Sequence, residues 1–279
     1  MSAKTIGDAA DGIGAESGSV SGMSGLPSGL GIKRASEVLA IIAVAAVIIG
    51  GSELLLRLFK VPVYVMPTPS AIVTALFVHM PEIAPHLGYT LVELFSGYAI
   101  GASIGILLAA LITQFPFAEK IIAPYILLLV TTPMLALVPL LILNFGFGYT
   151  PRIIAVALAS GPMVMINSAT GFRRVDHAKI ALARSYGATT PQIFMKIRIP
   201  MAMPMVIVGL MMGAIFGVIT AIGAEMSGGG FGLGSKLTTF SSTLRTAEFF
   251  AVILILAAMG ILIYAFFSWL GGKLAGWET

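Results

Sequence analysis

Uncharged apolar runs alternate with short polar segments along the 279-residue chain. Five of these runs contain no Asp, Glu, Lys or Arg and are about 20 residues or longer, enough for a helix to cross a membrane. A sixth is interrupted only by Glu53 and Arg57 near its end, where long side chains reach the headgroups. The pattern predicts six transmembrane helices, at about residues 38–59, 90–113, 120–146, 152–171, 201–224 and 249–271.

The composition supports an all-α membrane protein. Apolar residues make up 58% of the chain and charged residues 10%, and a water-soluble globule cannot bury that much hydrocarbon. The chain has no cysteine, which excludes disulfides and thiolate metal sites. His79, His86 and His177 lack the i, i+4 spacing of a helical metal site, so no metal is predicted. The sequence also lacks a Gly-Lys-Ser/Thr phosphate-binding loop, so we do not expect an enzyme.

The positions of the cationic residues favour one orientation. If both termini are cytoplasmic, eleven of the 16 Lys and Arg residues fall on inner segments. The other five fall outside: Arg57, Lys60, Arg152, Lys236 and Arg245. Because cationic loops stay inside, both termini are predicted to be cytoplasmic.

Residues 1–32, rich in Gly, Ser and Ala, are predicted to be a disordered cytoplasmic tail, solvated or regulatory, before a membrane domain at residues 33–279.

Prolines and glycines modify this picture. Residues 61–88 contain five prolines and are predicted to form an extended outer loop with a short helix near residues 70–79, capped by Ser70. In the third span, Pro124, Pro133 and Pro139 predict a kinked helix that is a candidate lining of a translocation path. The second span carries glycines at four-residue spacing, typical of close helix packing in lipid: Gly97, Gly101 and Gly105.

The segment at residues 173–200 is too polar and basic for lipid, yet it has helical periodicity. Thr190 and Pro191 resemble a helix start after a turn at Gly187, so a cytoplasmic helix, turn and helix are predicted. A rigid protrusion is expected in a transporter that is driven by a separate, energy-supplying protein docked on its cytoplasmic side. An ordinary amphipathic surface helix is the alternative.

This segment carries the most specific pattern, ALARSYGA at residues 181–188 and IRIP at residues 197–200. It resembles the EAA loop of binding-protein-dependent ABC importer permeases, whose pattern is EAA, three residues, Gly, and later I-x-L-P. The chain departs from it at Ala181, Leu182 and Ile199, so no salt bridge from a glutamate is carried over. The resemblance implies an ATPase-coupling loop formed by Ala181, Leu182, Ala183, Arg184, Gly187, Ala188, Ile197 and Pro200.

The resemblance extends from about Pro62 onward and is closest to the nitrate, sulfonate and taurine branch. The stretches that carry it are MPTPS at 66–70, TPMLALVPL at 132–140, NFGFG at 144–148, AE at 224–225 and GLG at 232–234. Glu93 departs from the branch, which tends to have Arg there. The resemblance implies a type I (MetI-like) importer permease fold with a cytoplasmic coupling helix, multi-pass in the bacterial inner membrane.

The partners implied by the resemblance are two copies of a cytosolic ATPase, a second permease copy, membrane lipid, and a periplasmic or lipid-anchored substrate-binding protein. ATP and Mg would be bound by the ATPase, so no cofactor is expected in this chain. No nucleic-acid partner is expected either.

Candidates for the translocation path or gate are Pro133, Met134, Asn144, Met163, Met211 and Glu225, with Met212 beside them. For the methionines, core packing is the alternative, because Met is a flexible apolar filler. Glu225 is either a membrane-embedded carboxylate or an interfacial one at the outer face.

The predicted function is to pass a small solute from a binding protein to the cytoplasm by alternating access. Nitrate, sulfonates, taurine, pyrimidine-type vitamin precursors and aromatic acids all stay open as substrates. A self-contained secondary transporter would need intramembrane ionisable relays, for which only Glu53, Glu93 and Glu225 are available. A non-transporting scaffold would leave the proline-rich third span unexplained.

Overall fold

Helices make up nearly all of the part of the chain that the structure describes, because a helix satisfies its own backbone hydrogen bonds in lipid. The structure is a computed structural model that describes residues 35–274, so the predicted tail at residues 1–32 lies outside the described residues. The helices are α1 Ala35–Leu58, α2 Pro69–Val78, α3 Met80–Gln114, α4 Pro116–Thr131, α5 Met134–Phe145, α6 Tyr149–Arg173, α7 His177–Ser185, α8 Thr190–Ile193, α9 Ile199–Gly228, α10 Leu233–Ser242 and α11 Thr246–Leu274.

Five helical segments are long and apolar enough to cross a membrane. They lie in α1, α3, α6, the run from α8 through α9, and α11. A sixth span results if α4 and α5, which are bent by 97° at their junction, are counted as one. The six predicted spans therefore correspond to five long helical segments and one broken pair.

The segment before the second span is more helical than its prolines suggested. α3 begins at Met80, with Pro81 in its first turn and Pro85 inside the helix. A first-turn proline is tolerated because the amide hydrogen that it lacks would have no helical partner there. The prediction that the extended loop reaches residue 88 was therefore wrong, because the chain is helical from Met80 onward.

The short helix predicted in that loop is present as α2, but its cap differs from the prediction. The hydroxyl of Thr68 accepts a hydrogen bond from the amide of Ala71 at 3.3 Å. Ser70 is instead bonded to α1, since its Oγ donates to Glu53 at 2.7 Å and its amide donates to the same carboxylate at 3.0 Å. The cap lies two residues earlier, at Thr68, which has the extended backbone of an N-cap.

The third span is broken where a kink was predicted. α4 ends at Thr131 and α5 begins at Met134, with Pro133 at the N-cap of α5. A proline cannot donate to the preceding turn, so the hydrogen-bond ladder stops there. The other two prolines of this span, Pro124 and Pro139, lie inside α4 and α5.

α6 is the central helix and the most buried of the candidate spans. It packs against α3 on one side and α9 on the other. The glycines of α3 lie at the first contact: a Cβ on Gly97 would lie 2.6 Å from the Cβ of Val156, and one on Gly105 would lie 3.1 Å from that of Val164. The predicted close-packing role of the α3 glycines is confirmed.

A second glycine stripe lies on α9, facing α6 from the other side. A Cβ on Gly209 would lie 2.9 Å from the Cβ of Asn167, and one on Gly213 would lie 2.6 Å from Val164. Val164 is fully buried between the two stripes. Small residues on both neighbours let three helix backbones approach closely, where van der Waals packing drives association in lipid.

Candidate functional site

The loop between the fourth and fifth spans is a helical hairpin. α7 begins after Asp176, whose carboxylate accepts a hydrogen bond from the amide of Ala178 at 2.8 Å. The turn after α7 contains Gly187 at φ +81°, a conformation that glycine adopts without steric cost. α8 is held at its start by the amide of Thr189, which donates to the side chain of Gln192 at 2.8 Å. The predicted helix, turn and helix are therefore present, but the N-cap of α8 is Thr189, one residue before the predicted cap at Thr190.

A small apolar cluster joins the two arms of the hairpin. Val175, Ile180 and Ile193 are buried in it. The opposite surface is exposed and mixed in character: Leu182 is 59% exposed and Tyr186 is 84% exposed. An aromatic side chain that is held by a rigid hairpin and left in solvent is a common feature of protein interfaces.

The residues of the predicted coupling loop all lie on this hairpin or at its junction with α9. Most of them are exposed: Ala181, Leu182, Arg184, Gly187 and Pro200. Three are partly buried against the hairpin's apolar cluster: Ala183, Ala188 and Ile197. The exposed part of the hairpin is basic, with Arg174, Lys179, Arg184 and Lys196 against Asp176. Arg173, at the end of α6, is paired with Glu119 at 2.9 Å.

The break between α4 and α5 opens onto a cavity of about 290 Å³. The cavity is bounded by the break, α6 and α9, and its lining is almost entirely apolar. Three of the predicted path residues line it: Pro133, Met134 and Met163. Two lining residues that sequence reasoning did not single out are Phe216 and Thr220 on α9.

The other predicted path residues lie elsewhere. Asn144 is exposed near the end of α5, where its side-chain amide donates to the carbonyl of Leu140 at 2.8 Å. Met211 packs in the cluster that joins α9 and α11, and its neighbour Met212 is not among the cavity-lining residues. For these residues, membrane depth and residue type were not enough to predict a place in the cavity lining. The face of the helix on which a side chain lies decides what it contacts.

Glu225 is fully buried within the protein and does not lie at a water-exposed interface. Its carboxylate accepts hydrogen bonds from the hydroxyl of Thr90 and the amide of Gly234, both at 2.6 Å. The amide of Leu233 in turn donates to Thr90 Oγ1 at 2.9 Å. This network fixes the glycine-rich turn between α9 and α10 against α3.

A buried ion pair lies beside this network. The guanidinium of Arg152 contacts the carboxylate of Glu93 at 2.8 Å, with exposures of 2% and 0%. Arg152 also donates to the carbonyls of Gly229 at 2.5 Å and Phe231 at 3.0 Å, and it lies 4.3 Å from the Phe231 ring centroid. One arginine thus joins α3, α6 and the turn after α9.

This pair was not predicted from the sequence. Arg152 was counted as an outer loop cation, and Glu93 was treated only as a departure from the branch. The sequence did contain a signal for it. Glu93 and Arg152 lie near the predicted outer ends of two neighbouring spans, and a charged side chain in a span needs a partner of opposite charge.

The family model of the binding-protein-dependent transport system inner membrane component matches residues 101–276, more than half of the chain. The chain belongs to this family. It is a permease subunit of an ABC importer, a multi-pass inner-membrane protein without an enzymatic role of its own. This assignment favours the importer interpretation over the self-contained secondary transporter and the scaffold.

Three relatives illustrate the branch. A probable ABC transporter permease protein of Haemophilus influenzae is 27% identical over 218 residues, which cover 78% of this chain and 89% of that protein. The putative aliphatic sulfonates transport permease protein SsuC of Bacillus subtilis is 30% identical over 236 residues, with coverages of 84% and 86%. The taurine transport system permease protein TauC of Escherichia coli is 28% identical over 197 residues, with coverages of 71% and 70%. These similarities confirm the resemblance to the sulfonate and taurine branch.

Two solved structures have a similar fold. The crystal structure of an amino acid ABC transporter with histidines has a TM-score of 0.56 and 24% identity, and the match covers 70% of this chain and 92% of that chain. The MetNI methionine ABC transporter in an inward-facing conformation has a TM-score of 0.55 and 18% identity, with coverages of 75% and 98%. The predicted type I importer permease fold is confirmed.

Proposed function

We propose that ATP hydrolysis on a partner ATPase drives this permease, and that the movement enters through the α7–α8 hairpin and reaches the cavity through α9. The main support is the continuous helical run from Thr190 to Gly228, which joins the hairpin to the cavity-lining residues Phe216 and Thr220. The run is α-helical except for a π-helical segment at Phe194–Arg198. The run has 39 residues, so it is roughly 58 Å long at about 1.5 Å per residue. A rigid element carries a displacement along its whole length, which a flexible loop would absorb.

The exposed side of the hairpin is the proposed docking surface. It is formed by Ala181, Leu182, Ala183, Arg184, Gly187, Ala188, Ile197 and Pro200. Leu182 and the neighbouring Tyr186 supply apolar area, and the surrounding cations would meet an acidic rim on the ATPase. Because Ala181 replaces the usual glutamate of the loop, docking would not depend on a carboxylate from this helix.

In the proposed cycle, the permease alternates between outward-open and inward-open states around the cavity at the α4–α5 break. Pro133, Met134 and Met163 would line the path. Broken helices are tolerated at membrane depth where protein or a water-filled cavity covers the free backbone groups. Asn144, Met211 and Glu225 would act outside this cavity, with Glu225 holding the outer turn.

The proposed complex contains two permease copies, two ATPases that bind ATP and Mg, and a substrate-binding protein outside. Both termini would be cytoplasmic, with the basic hairpin on the same side. The proposed substrate is a small anionic solute, of which sulfonates, taurine and nitrate are examples. Two relatives named for sulfonates and taurine support this class.

The test is co-purification from native membranes with an affinity tag at the C-terminus. We compare the unaltered chain with Gly187→Asp, since open space surrounds Gly187 and an added side chain would point at the docking partner. The matched control is Gly230→Asp, because Gly230 has nearly the same φ, +84° against +81°, and is also surrounded by open space.

We expect the ATPase to accompany the unaltered chain and the Gly230→Asp chain. Its recovery should fall about tenfold or more with Gly187→Asp, because a charge at a packed interface is costly. Equal recovery with both variants would refute the docking surface, and recovery of the unaltered chain alone would refute the dependence on an ATPase.

A further inference from the structure

The α4–α5 break leaves two helix ends beside the cavity. The amino end of a helix carries about half a positive charge and the carboxyl end about half a negative charge, from amides and carbonyls without partners. Thr132, Pro133, Met134 and Leu135, which span the break, all line the cavity. The break therefore presents ligand-binding backbone groups inside the span.

The two helix ends are not equally compensated. At the carboxyl end of α4, the hydroxyl of Thr131 donates to the carbonyl of Leu127 at 2.9 Å, and that of Thr132 donates to Leu128 at 2.7 Å. At the amino end of α5, the N-cap is Pro133, which makes no side-chain capping bond. The negative end thus receives hydroxyl donors, while the positive end receives no acceptor from its cap.

Thr220 provides an independent sign of a ligand. It is only 4% exposed and lines the same cavity. Other helical threonines bond to their own helix, as Thr113 donates to Ala109 at 2.7 Å and Thr170 to Ile166 at 2.8 Å. Thr220 makes no such bond within the described residues 35–274, so its hydroxyl is available to a ligand in the cavity that it lines.

We infer that the amino end of α5 and the hydroxyl of Thr220 form a subsite that binds a small oxyanion as it passes through the permease. Backbone amides at a helix start and a hydroxyl donor are the groups that bind sulfonate, sulfate or nitrate oxygens. No lining residue of the cavity carries a charge, so the anion is attracted without being trapped by a fixed cation. The inference rests on the proposed function and adds a specific recognition step to it.

The apolar remainder of the lining sets a second property of the ligand. Phe216, Ile219 and Leu158 lie around the cavity. A solute with a short apolar body and an anionic head would have both parts accommodated. Alkanesulfonates have this shape, and the cavity volume of about 290 Å³ is near the lower end of small-ligand sites.

The test uses the full chain with its ATPase, in nanodiscs of neutral phosphatidylcholine so that anionic lipid headgroups cannot supply the signal. Saturation-transfer NMR compares ethanesulfonate with ethyl methyl sulfone, a neutral molecule of similar size and shape. We expect ethanesulfonate to bind at least about tenfold more tightly, because one charge-assisted hydrogen bond contributes roughly that factor. Equal binding of the two probes, or no binding of either, would overturn the subsite.

Two variant pairs locate the site. Thr220→Val should weaken ethanesulfonate binding about tenfold, whereas Thr220→Ser should keep it, because only the serine retains a donor. Met134→Asp should abolish binding by supplying a tethered anion at the helix start, and Met134→Asn should not. Thr113→Val is the control for a lost hydroxyl outside the cavity.

Unchanged binding in Thr220→Val together with Met134→Asp would overturn the inference. Co-purification of the ATPase is measured on the same preparations. If the ATPase is retained while the anion preference is absent, the subsite fails and the proposed importer function stands. If the ATPase is never recovered, the proposed function itself fails.

Discussion

At the residue scale, the pairing of Arg152 with Glu93 is the most consequential contact in the molecule. Both side chains are removed from solvent, and the guanidinium also satisfies two carbonyls of the turn after α9. Such a pair contributes little net stability relative to apolar residues, yet removing one partner strands a buried charge. The pair therefore acts chiefly by fixing how α3, α6 and the turn after α9 meet.

We predict that Arg152→Ala lowers the free energy of unfolding by about 3–5 kcal/mol, because Glu93 would be left without its counter-charge. The measurement is thermal unfolding of the detergent-purified protein. Arg57→Ala is the control, since Arg57 is 66% exposed in its pair with Glu53 and its loss should cost less than about 1 kcal/mol.

Combining Glu93→Leu with Arg152→Met should restore most of the lost stability, because the pair is then replaced by apolar groups of similar volume. If Arg152→Ala is no more harmful than Arg57→Ala, the buried pair has no structural role.

At the element scale, glycine has opposite effects on stability at exposed and at packed positions of a transmembrane helix. An exposed glycine weakens a helix by about 1 kcal/mol relative to alanine. A glycine at a helix contact allows backbones to approach, and a methyl group there forces them apart. The stripes on α3 and α9 belong to the second kind, whereas Gly260 on α11 has no atom near its missing Cβ.

We predict that Gly101→Ala destabilises the protein by about 1–3 kcal/mol, since its Cβ would meet the hydroxyl of Ser160 and the backbone of Ala157 on α6. Gly260→Ala should be neutral or stabilising by up to about 1 kcal/mol. Thermal unfolding of the two variants, side by side, checks the difference in sign. A Gly101→Ala protein as stable as Gly260→Ala would contradict the close contact of α3 with α6.

At the scale of the whole molecule, the hairpin and the glycine-rich turn between α9 and α10 lie at opposite ends of one helical run. The ends differ in what holds them. The hairpin rests on a small apolar cluster, whereas the end at the glycine-rich turn is tied by buried hydrogen bonds and by the ion pair between Lys236 and Glu82 at 2.8 Å. A displacement at the hairpin would therefore act against a firmly held glycine-rich turn.

The absence of cysteine makes the proposed orientation directly testable. Ser185→Cys on the hairpin and Ser242→Cys at the end of α10 introduce single thiols at exposed positions. We expect a membrane-impermeant maleimide to label Ser242→Cys in spheroplasts and Ser185→Cys only in inverted vesicles. The reverse labelling pattern would overturn the orientation in which both termini are cytoplasmic.

The sequence by itself determined the elements that depend on local pattern. Uncharged runs predicted the helical class, the three prolines of the third span predicted its disruption, and Gly187 predicted the turn of the hairpin, because each follows from the chemistry of neighbouring residues. The glycine spacing on α3 predicted close packing for the same reason. The EAA-like pattern added the family.

Only the tertiary structure decided which side chains meet. It paired Glu93 with Arg152 across 59 positions of sequence, buried Glu225 among hydrogen-bond donors, and turned Thr220 toward the cavity while Met211 faces α11. Residue type and depth are readable from a chain, but the rotation of each helix about its axis is set by packing against its neighbours. That rotation determines which polar groups are paired, which are free, and where a ligand can bind.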